Sequence, residues 1–298
     1  MSLRLGAKLP HSGSLPARLG LDSMAARLEE AGFDSIWVSD HIVFPQAVPS
    51  GYPFSVDGRP TWPMDVDYLE PVVSLAAIAP ATSRAELGTS VLILPMRNPV
   101  YFAKQAACID VLSHGRLVLG IGVGWLREEF EALDADFESR GKVLDEWLDI
   151  ARQCWTGSAG PFEGRFYSLE APIYSKPAPV RNPPILIGGH SRLALERAGR
   201  SADGWLAQLS MDNLSEQMVA SAVATMKSAG RERASYRVVL RISGAERRMD
   251  ELARRLGSLA DAGATEVIVD VDWSDEDGAR RACDALRSRV AGNTEERT

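Results

Sequence analysis

Residues 3–38 have the sequence LRLGAKLPHSGSLPARLGLDSMAARLEEAGFDSIWV, in which two short β-prone runs flank a longer amphipathic segment. The runs cover residues 3–9 and 35–38. The segment between them, from Pro16 to Ala31, has apolar residues at helical spacing and ends at Gly32, a residue typical of helix C-termini. This stretch therefore predicts one β-α-β unit.

The same alternation recurs along the rest of the chain. The predicted strands are 3–9, 35–38, 86–92, 117–121, 185–187, 204–209, 237–242 and 266–271, and the predicted helices are 16–31, 71–79, 99–112, 127–133, 142–155, 192–198, 214–229, 249–262 and 277–289. Eight short apolar strands alternating with helices favour a closed (β/α)8 TIM barrel, because an open doubly wound sheet usually has fewer strands and leaves two edges to protect. We predict one α/β domain over residues 1–298.

Two connections are much longer than the usual βα loop of roughly 2 to 6 residues. One insertion, residues 39–69, follows the second strand, and the other, residues 157–184, comes after the fourth strand. The aromatic residues of the first insertion are Phe44, Tyr52, Phe54, Trp62 and Tyr68. We expect both insertions over the C-terminal face of the barrel, with a small hairpin near residues 162–167, although an ordinary surface loop fits the second insertion equally well.

Composition limits the possible partners. The chain has 40 acidic and 33 basic residues and a net charge of −7, which gives no long-range attraction to nucleic acid or to an anionic membrane. No signal-peptide pattern or run of roughly 20 apolar residues is present, so we expect a cytoplasmic protein that acts on a small molecule. Cys108, Cys154 and Cys283 are widely spaced, and no histidines or cysteines have paired-ligand spacing, so we expect free thiols and no metal site.

Active sites of (β/α)8 barrels lie where strands end and βα loops begin. Asp40 and His41 follow the second predicted strand. His41 is the best candidate for proton transfer, because imidazole titrates near neutral pH and the adjacent carboxylate of Asp40 would orient or charge it. The alternative is a hydrogen-bonded histidine with a structural role.

Two glycine-rich turns suggest a ligand that carries a phosphate and a flat ring. Gly188, Gly189, His190 and Ser191 lie between a strand and a helix, where bare amides and a helix N-terminus favour phosphate binding; a tight turn with an ordinary N-cap is the alternative. The run 120–125, GIGVGW, lacks the third glycine of a dinucleotide fingerprint. Its glycines would instead let a ring system approach the backbone, with Trp125 either walling that ring or packing in the core.

Several ordered motifs together resemble the bacterial luciferase-like family, and especially its deazaflavin (coenzyme F420) branch. The motifs are IWVSDH at 36–41, LGTSVL at 87–92, PMRNP at 95–99, DVLSHGRL at 110–117, GIGVGWLREEF at 120–130, IGG at 187–189 and ADGW at 202–205. The resemblance implies a cofactor ring over the strand ends and a non-prolyl cis peptide bond at Ser90-Val91. It also implies cofactor contacts, which would come from Asp40, His41, Ser90, Val91, Gly122, Gly124, Trp125, Gly188, Gly189, His190 and Ser191.

The resemblance further implies an oxidoreductase that transfers hydride between F420 and an organic substrate, with His41 as proton donor or acceptor. A monooxygenase that uses reduced FMN and a non-catalytic flavin-binding protein are the alternatives. The sugar-phosphate dehydrogenases of the branch have a catalytic glutamate where this chain has Trp125. This departure argues for an apolar or aromatic substrate, and the family's habit of pairing predicts a homodimer.

Overall fold

The computed structural model describes residues 3–53, 58–60, 62–230 and 235–295, with side chains up to residue 289. Eight parallel strands close a barrel in the order β1-β2-β3-β4-β9-β10-β11-β12. These strands are β1 (Arg4–Lys8), β2 (Ser35–Val38), β3 (Glu86–Ile93), β4 (Leu117–Gly122), β9 (Ile185–Gly188), β10 (Gly204–Ser210), β11 (Arg237–Ser243) and β12 (Glu266–Val269). The predicted (β/α)8 barrel is therefore confirmed.

The helices surround this barrel. They are α1 (Leu15–Leu19), α2 (Leu21–Glu30), α3 (Pro71–Ile78), α4 (Pro99–Leu112), α5 (Arg127–Ala132), α6 (Arg140–Trp155), α7 (Arg192–Ser201), α8 (Glu216–Ala229), α9 (Met249–Asp261) and α10 (Gly278–Glu295). The single helix predicted over 16–31 is wrong, because Gly20 has φ +77° and ψ 132° and separates α1 from α2. A residue with these angles cannot continue a right-handed helix.

Alternate strand residues fill the barrel interior, as the period of two requires. The inward cluster consists of Trp37, Val118, Leu186, Leu206, Val239 and Ile268. Gly88 makes room for the largest of these side chains, since a Cβ at this position would lie 2.3 Å from the Trp37 ring. Beneath this layer, the fully buried Glu266 carboxylate accepts hydrogen bonds from Arg237 at 2.7 Å and Trp37 at 3.2 Å, so a polar network fills the N-terminal end.

The second insertion packs on the outer helices. It contains two short antiparallel pairs, β5 (Ser158–Ala159) with β8 (Ile173–Tyr174) and β6 (Phe162–Glu163) with β7 (Ser168–Leu169), so a hairpin does form near residues 162–167. Glu146 of α6 accepts hydrogen bonds from the N–H groups of residues 165–167, and Asp110 of α4 accepts one from Val180. No residue of 157–184 lines the cavity at the C-terminal ends of the strands.

Within the described residues, no helix is long and apolar enough to cross a membrane. Those residues also contain no cluster of three or more histidine, cysteine or acidic side chains suited to a metal ion. The three cysteines have no disulfide partner.

Candidate active site

A cavity of about 430 Å³ lies at the C-terminal ends of the barrel strands. Eight of the predicted site residues line it: Asp40, His41, Ser90, Val91, Gly124, Trp125, Gly188 and Gly189. They come from the ends of β2, β3, β4 and β9, which are adjacent in the barrel. Strand closure thus brings together residues that are up to 149 positions apart in the sequence.

His41 lies in this cavity with 11% of its side chain exposed. Its Nδ1 is 3.1 Å from Glu129 Oε2, so the Nδ1–H donates to the carboxylate and Nε2 remains available as a proton donor or acceptor. Glu129 lies on α5, and its Oε1 accepts the backbone N–H groups of Ile42 at 2.6 Å and Val43 at 3.2 Å. The carboxylate therefore fixes both the imidazole and the turn that carries it.

Asp40 does not orient His41, contrary to the sequence-based expectation. Its side chain is fully buried and accepts two hydrogen bonds from Arg97, at 2.6 and 2.9 Å, and a third from the Ile93 N–H at 2.7 Å. Burial alone would lower the pKa of Arg97, but the carboxylates of Asp40 and Glu70 raise it. Because Arg97 and Ile93 already occupy both carboxylate oxygens, the geometry makes Asp40 an anchor for the loop after β3.

The Ser90-Val91 peptide bond is cis, as the resemblance implies. Val91 projects between two glycines, since a Cβ on Gly122 would lie 2.7 Å from its Cγ2 and a Cβ on Gly188 would lie 2.8 Å from its Cγ1. Gly122 is buried and does not line the cavity. The two glycines instead provide room for Val91, whose side chain forms part of the cavity surface. Gly124, with φ +82°, does line it.

His190 and Ser191 lie outside this cavity, in an adjoining one of about 790 Å³. Gln208 lines both cavities. The Ser191 hydroxyl caps α7 by accepting the Ala194 N–H at 3.2 Å, and Trp205 Nε1 donates to the Gly189 carbonyl at 2.7 Å, which holds the glycine turn in place. The predicted phosphate-binding turn is thus ordered at a helix N-terminus beside the main cavity.

Aromatic side chains enclose the outer part of the cavity. The ring centroids of Phe44, Tyr68, Trp62 and Trp125 lie 4.5, 5.7, 6.2 and 6.3 Å from that of His41. Three of these residues belong to the first insertion, and Trp125 follows β4, where it faces the cavity instead of the core. Phe54 lies outside the described residues. The aromatic side chains create a water-poor space around the imidazole.

Three charged residues that were not predicted from the sequence also line the cavity: Lys8, Arg241 and Asp270. Lys8 is the last residue of β1, Arg241 lies on β11 and Asp270 follows β12. Each comes two residues after an inward-facing position, at Gly6, Val239 and Ile268, so its side chain also faces the barrel axis. Glu129 was not predicted as a site residue either, although it lies within the GIGVGWLREEF motif. A charged residue at an inward position near a strand end is the pattern that would have identified the first three.

The sequence profile of the luciferase-like monooxygenase family matches residues 11–294. The chain belongs to this family. An uncharacterised protein of Mycobacterium tuberculosis is 33% identical over 246 residues, which are 83% of each chain. An F420-dependent glucose-6-phosphate dehydrogenase of Kineococcus radiotolerans is 32% identical over 237 residues, which are 77% of this chain and 64% of the relative.

Solved structures confirm the architecture. An F420-dependent secondary alcohol dehydrogenase, solved with an F420–acetone adduct, superposes with a TM-score of 0.76 at 16% identity, over 96% of this chain and all of that one. The oxygenating component of a type II Baeyer-Villiger monooxygenase from Pseudomonas putida, solved with FMN, gives a TM-score of 0.68 at 15% identity, over 98% and 99% of the two chains. At these identities the structural likeness supports the fold alone, whereas the family membership makes the chain an oxidoreductase.

Proposed function

We propose that this luciferase-like protein is a coenzyme F420-dependent oxidoreductase that transfers hydride to or from a small organic substrate. The observation that carries the proposal is the cavity at the ends of β2, β3, β4 and β9, where His41, Val91 and the Gly188-Gly189 turn converge. Two F420-dependent relatives among the curated proteins, at 32% and 33% identity, support this cofactor.

The cavity residues fit a ring that carries a phosphate-bearing side chain. Val91 provides an apolar surface, Gly124 and Gly188 expose bare backbone, and the Ser90 hydroxyl is buried with no hydrogen-bond partner among the described residues. We propose that the ring lies against Val91 and that the turn at Gly189 and Ser191 holds the phosphate through backbone N–H groups. The bound cofactor supplies the site that accepts or donates hydride.

His41 moves the proton that accompanies the hydride. Glu129 accepts the hydrogen bond from Nδ1, so Nε2 gives up or takes up the proton on the cavity side. Phe44, Trp62 and Trp125 exclude water from this exchange and give an apolar or aromatic substrate a surface on which to stack. Trp125 fills the position at which a sugar-phosphate dehydrogenase would have its glutamate, which favours a substrate without a sugar.

A reduced-FMN-dependent monooxygenase is the second candidate, because a structural relative of that class binds FMN in the same fold. Oxygen dependence separates the two functions. We expect anaerobic oxidation of reduced F420 by a panel of aromatic and aliphatic ketones, aldehydes and enones. A reaction that requires both O₂ and reduced FMN would replace the first proposal with the second.

His41→Asn tests the assigned proton transfer. Asparagine cannot exchange a proton near neutral pH, so turnover should fall by about 10² or more while the affinity for F420 changes little. Tyr101→Phe, at an exposed site on α4, is the matched control. Unchanged turnover in His41→Asn would remove this residue from the chemistry.

A further inference from the structure

Three charged side chains that the proposed function does not use form a cluster in the cavity wall: Lys8, Arg241 and Asp270. Arg241 donates from Nη2 to Asp270 Oδ1 at 2.7 Å. Its Nη1 is buried with no hydrogen-bond partner among the described residues, and 9% of the side chain is exposed. A guanidinium NH₂ group left without an acceptor in a cavity wall is costly, so an acceptor from a ligand is expected at this place.

Lys8 provides a second unsatisfied donor. Its Nζ donates to the Leu9 carbonyl at 3.2 Å and to His11 Nδ1 at 3.1 Å, which leaves one of the three ammonium protons without a partner in the described chain. His11 is able to accept, because its Nε2–H donates to the Ser39 carbonyl at 2.8 Å. Burial, with a further contribution from Lys8, lowers the pKa of His11 to about 3, so the ring is neutral.

We propose that Lys8 and Arg241 form a subsite for a carboxylate group of the substrate, whose apolar or aromatic body lies against the aromatic residues near His41. The cluster holds two cations and one carboxylate, so a monoanion balances its charge, whereas a phosphate dianion would leave an excess negative charge beside Asp270. The inference rests on the proposed function only in taking the ligand to be the substrate. It refines the apolar or aromatic substrate expected from the sequence into an apolar or aromatic acid.

The subsite has a built-in pH dependence. Burial and the neighbouring Arg241 lower the pKa of Lys8 to about 7, and Asp270 partly offsets them. His11 is the titratable group next to Lys8 on its own segment, and His41 lies farther along the cavity wall. Since a bound carboxylate prefers protonated Lys8, its affinity should be greatest below pH 7 and should fall as the pH rises above that value, approaching tenfold per pH unit.

Calorimetric titration with phenylacetate, phenylacetamide and phenyl phosphate tests the subsite, on the protein alone and on the protein saturated with F420. At pH 6 we expect phenylacetate to bind at least about tenfold more tightly than the neutral amide, with the advantage shrinking by pH 8.5. Lys8→Met should abolish the pH dependence. Asp270→Asn should tighten phenylacetate binding, because it removes a like charge and releases Arg241.

Arg241→Met combined with Asp270→Asn removes the second cation without leaving a buried charge unpaired, and should weaken phenylacetate binding by at least about tenfold relative to Asp270→Asn alone. Arg254→Met, exposed on α9, is the control. Equal affinities for phenylacetate and the amide at both pH values, or tighter binding of phenyl phosphate than of phenylacetate to the F420-saturated protein, would overturn the inference. Cofactor binding in the same titrations is a separate result: its failure with phenylacetate still bound would reject the proposed function and leave the subsite standing.

Discussion

Asp40→Asn distinguishes a structural carboxylate from one that serves the ligand. The native side chain is fully buried and accepts three hydrogen bonds from Arg97 and Ile93. Asparagine has one acceptor oxygen and an NH₂ group that faces the donors of Arg97, whose side chain is only 9% exposed. Removing one partner of such a buried pair costs about 3–5 kcal/mol, so we expect the melting temperature to fall by roughly 10 °C.

Urea unfolding at pH 7, followed by circular dichroism and tryptophan fluorescence, measures this loss. Glu70→Gln is the matched control, since Glu70 pairs with the same Arg97 at 2.8 Å but is 32% exposed, and should cost about 1 kcal/mol. Asp40→Asn combined with Arg97→Met should recover much of the lost stability, because no buried charge is then left unpaired. A loss below about 1 kcal/mol, together with weaker cofactor binding, would contradict the structural role of Asp40.

Three further predictions concern other carboxylates and the phosphate turn. Glu129→Gln keeps an acceptor for the Ile42 N–H but replaces the carboxylate that accepts from His41 Nδ1, so it should lower turnover by about 10- to 100-fold with cofactor affinity unchanged; unchanged turnover would contradict the positioning role. Although burial alone would raise the pKa of Glu29, backbone N–H groups of residues 83–85 lower it to about 2. Its stabilising effect is therefore complete above the unfolded pKa near 4.5 and is lost as the pH falls toward 2. Glu29→Gln should lower the free energy of unfolding in urea by about 3 kcal/mol at pH 7 but by little at pH 2. Glu30→Gln, at an exposed position, is the control and should change it little at either pH. Ser191→Asp keeps an N-cap acceptor but repels phosphate, so it should weaken F420 binding at least about tenfold while sparing the phosphate-free deazaflavin chromophore; equal loss for both would place the phosphate elsewhere.

The strands were predictable because strands buried on both faces appear as short apolar runs, as in residues 117–121, and because turn residues separate them from helices. The helix break at Gly20 was not predictable, because the apolar spacing continues through it and only the backbone angles reveal the end of α1. The contacts of the second insertion were not predictable, because they join residues 165–167 to Glu146 of α6, which lies 19 to 21 positions earlier in the sequence.

The side-chain contacts of His41 and Asp40 could not be predicted from the sequence, because they depend on the tertiary structure. His41 and Glu129 are 88 residues apart in the sequence, and only barrel closure brings α5 beside the turn after β2. Sequence adjacency favoured Asp40 as the partner of His41, yet that side chain points toward Arg97. Neighbours in sequence at a strand end face opposite directions, which is why the adjacent carboxylate bonds elsewhere.

Binding of the cofactor is the most direct test of the central claim, that the cavity at the C-terminal ends of the strands holds a deazaflavin. Fluorescence titration of the purified protein with oxidised and reduced F420, and with oxidised and reduced FMN, measures it without a known substrate. The proposed function predicts micromolar or tighter binding of F420 and weaker binding of FMN. Binding of FMN alone would assign the protein to the monooxygenase class, and failure of both cofactors to bind would contradict the proposed function.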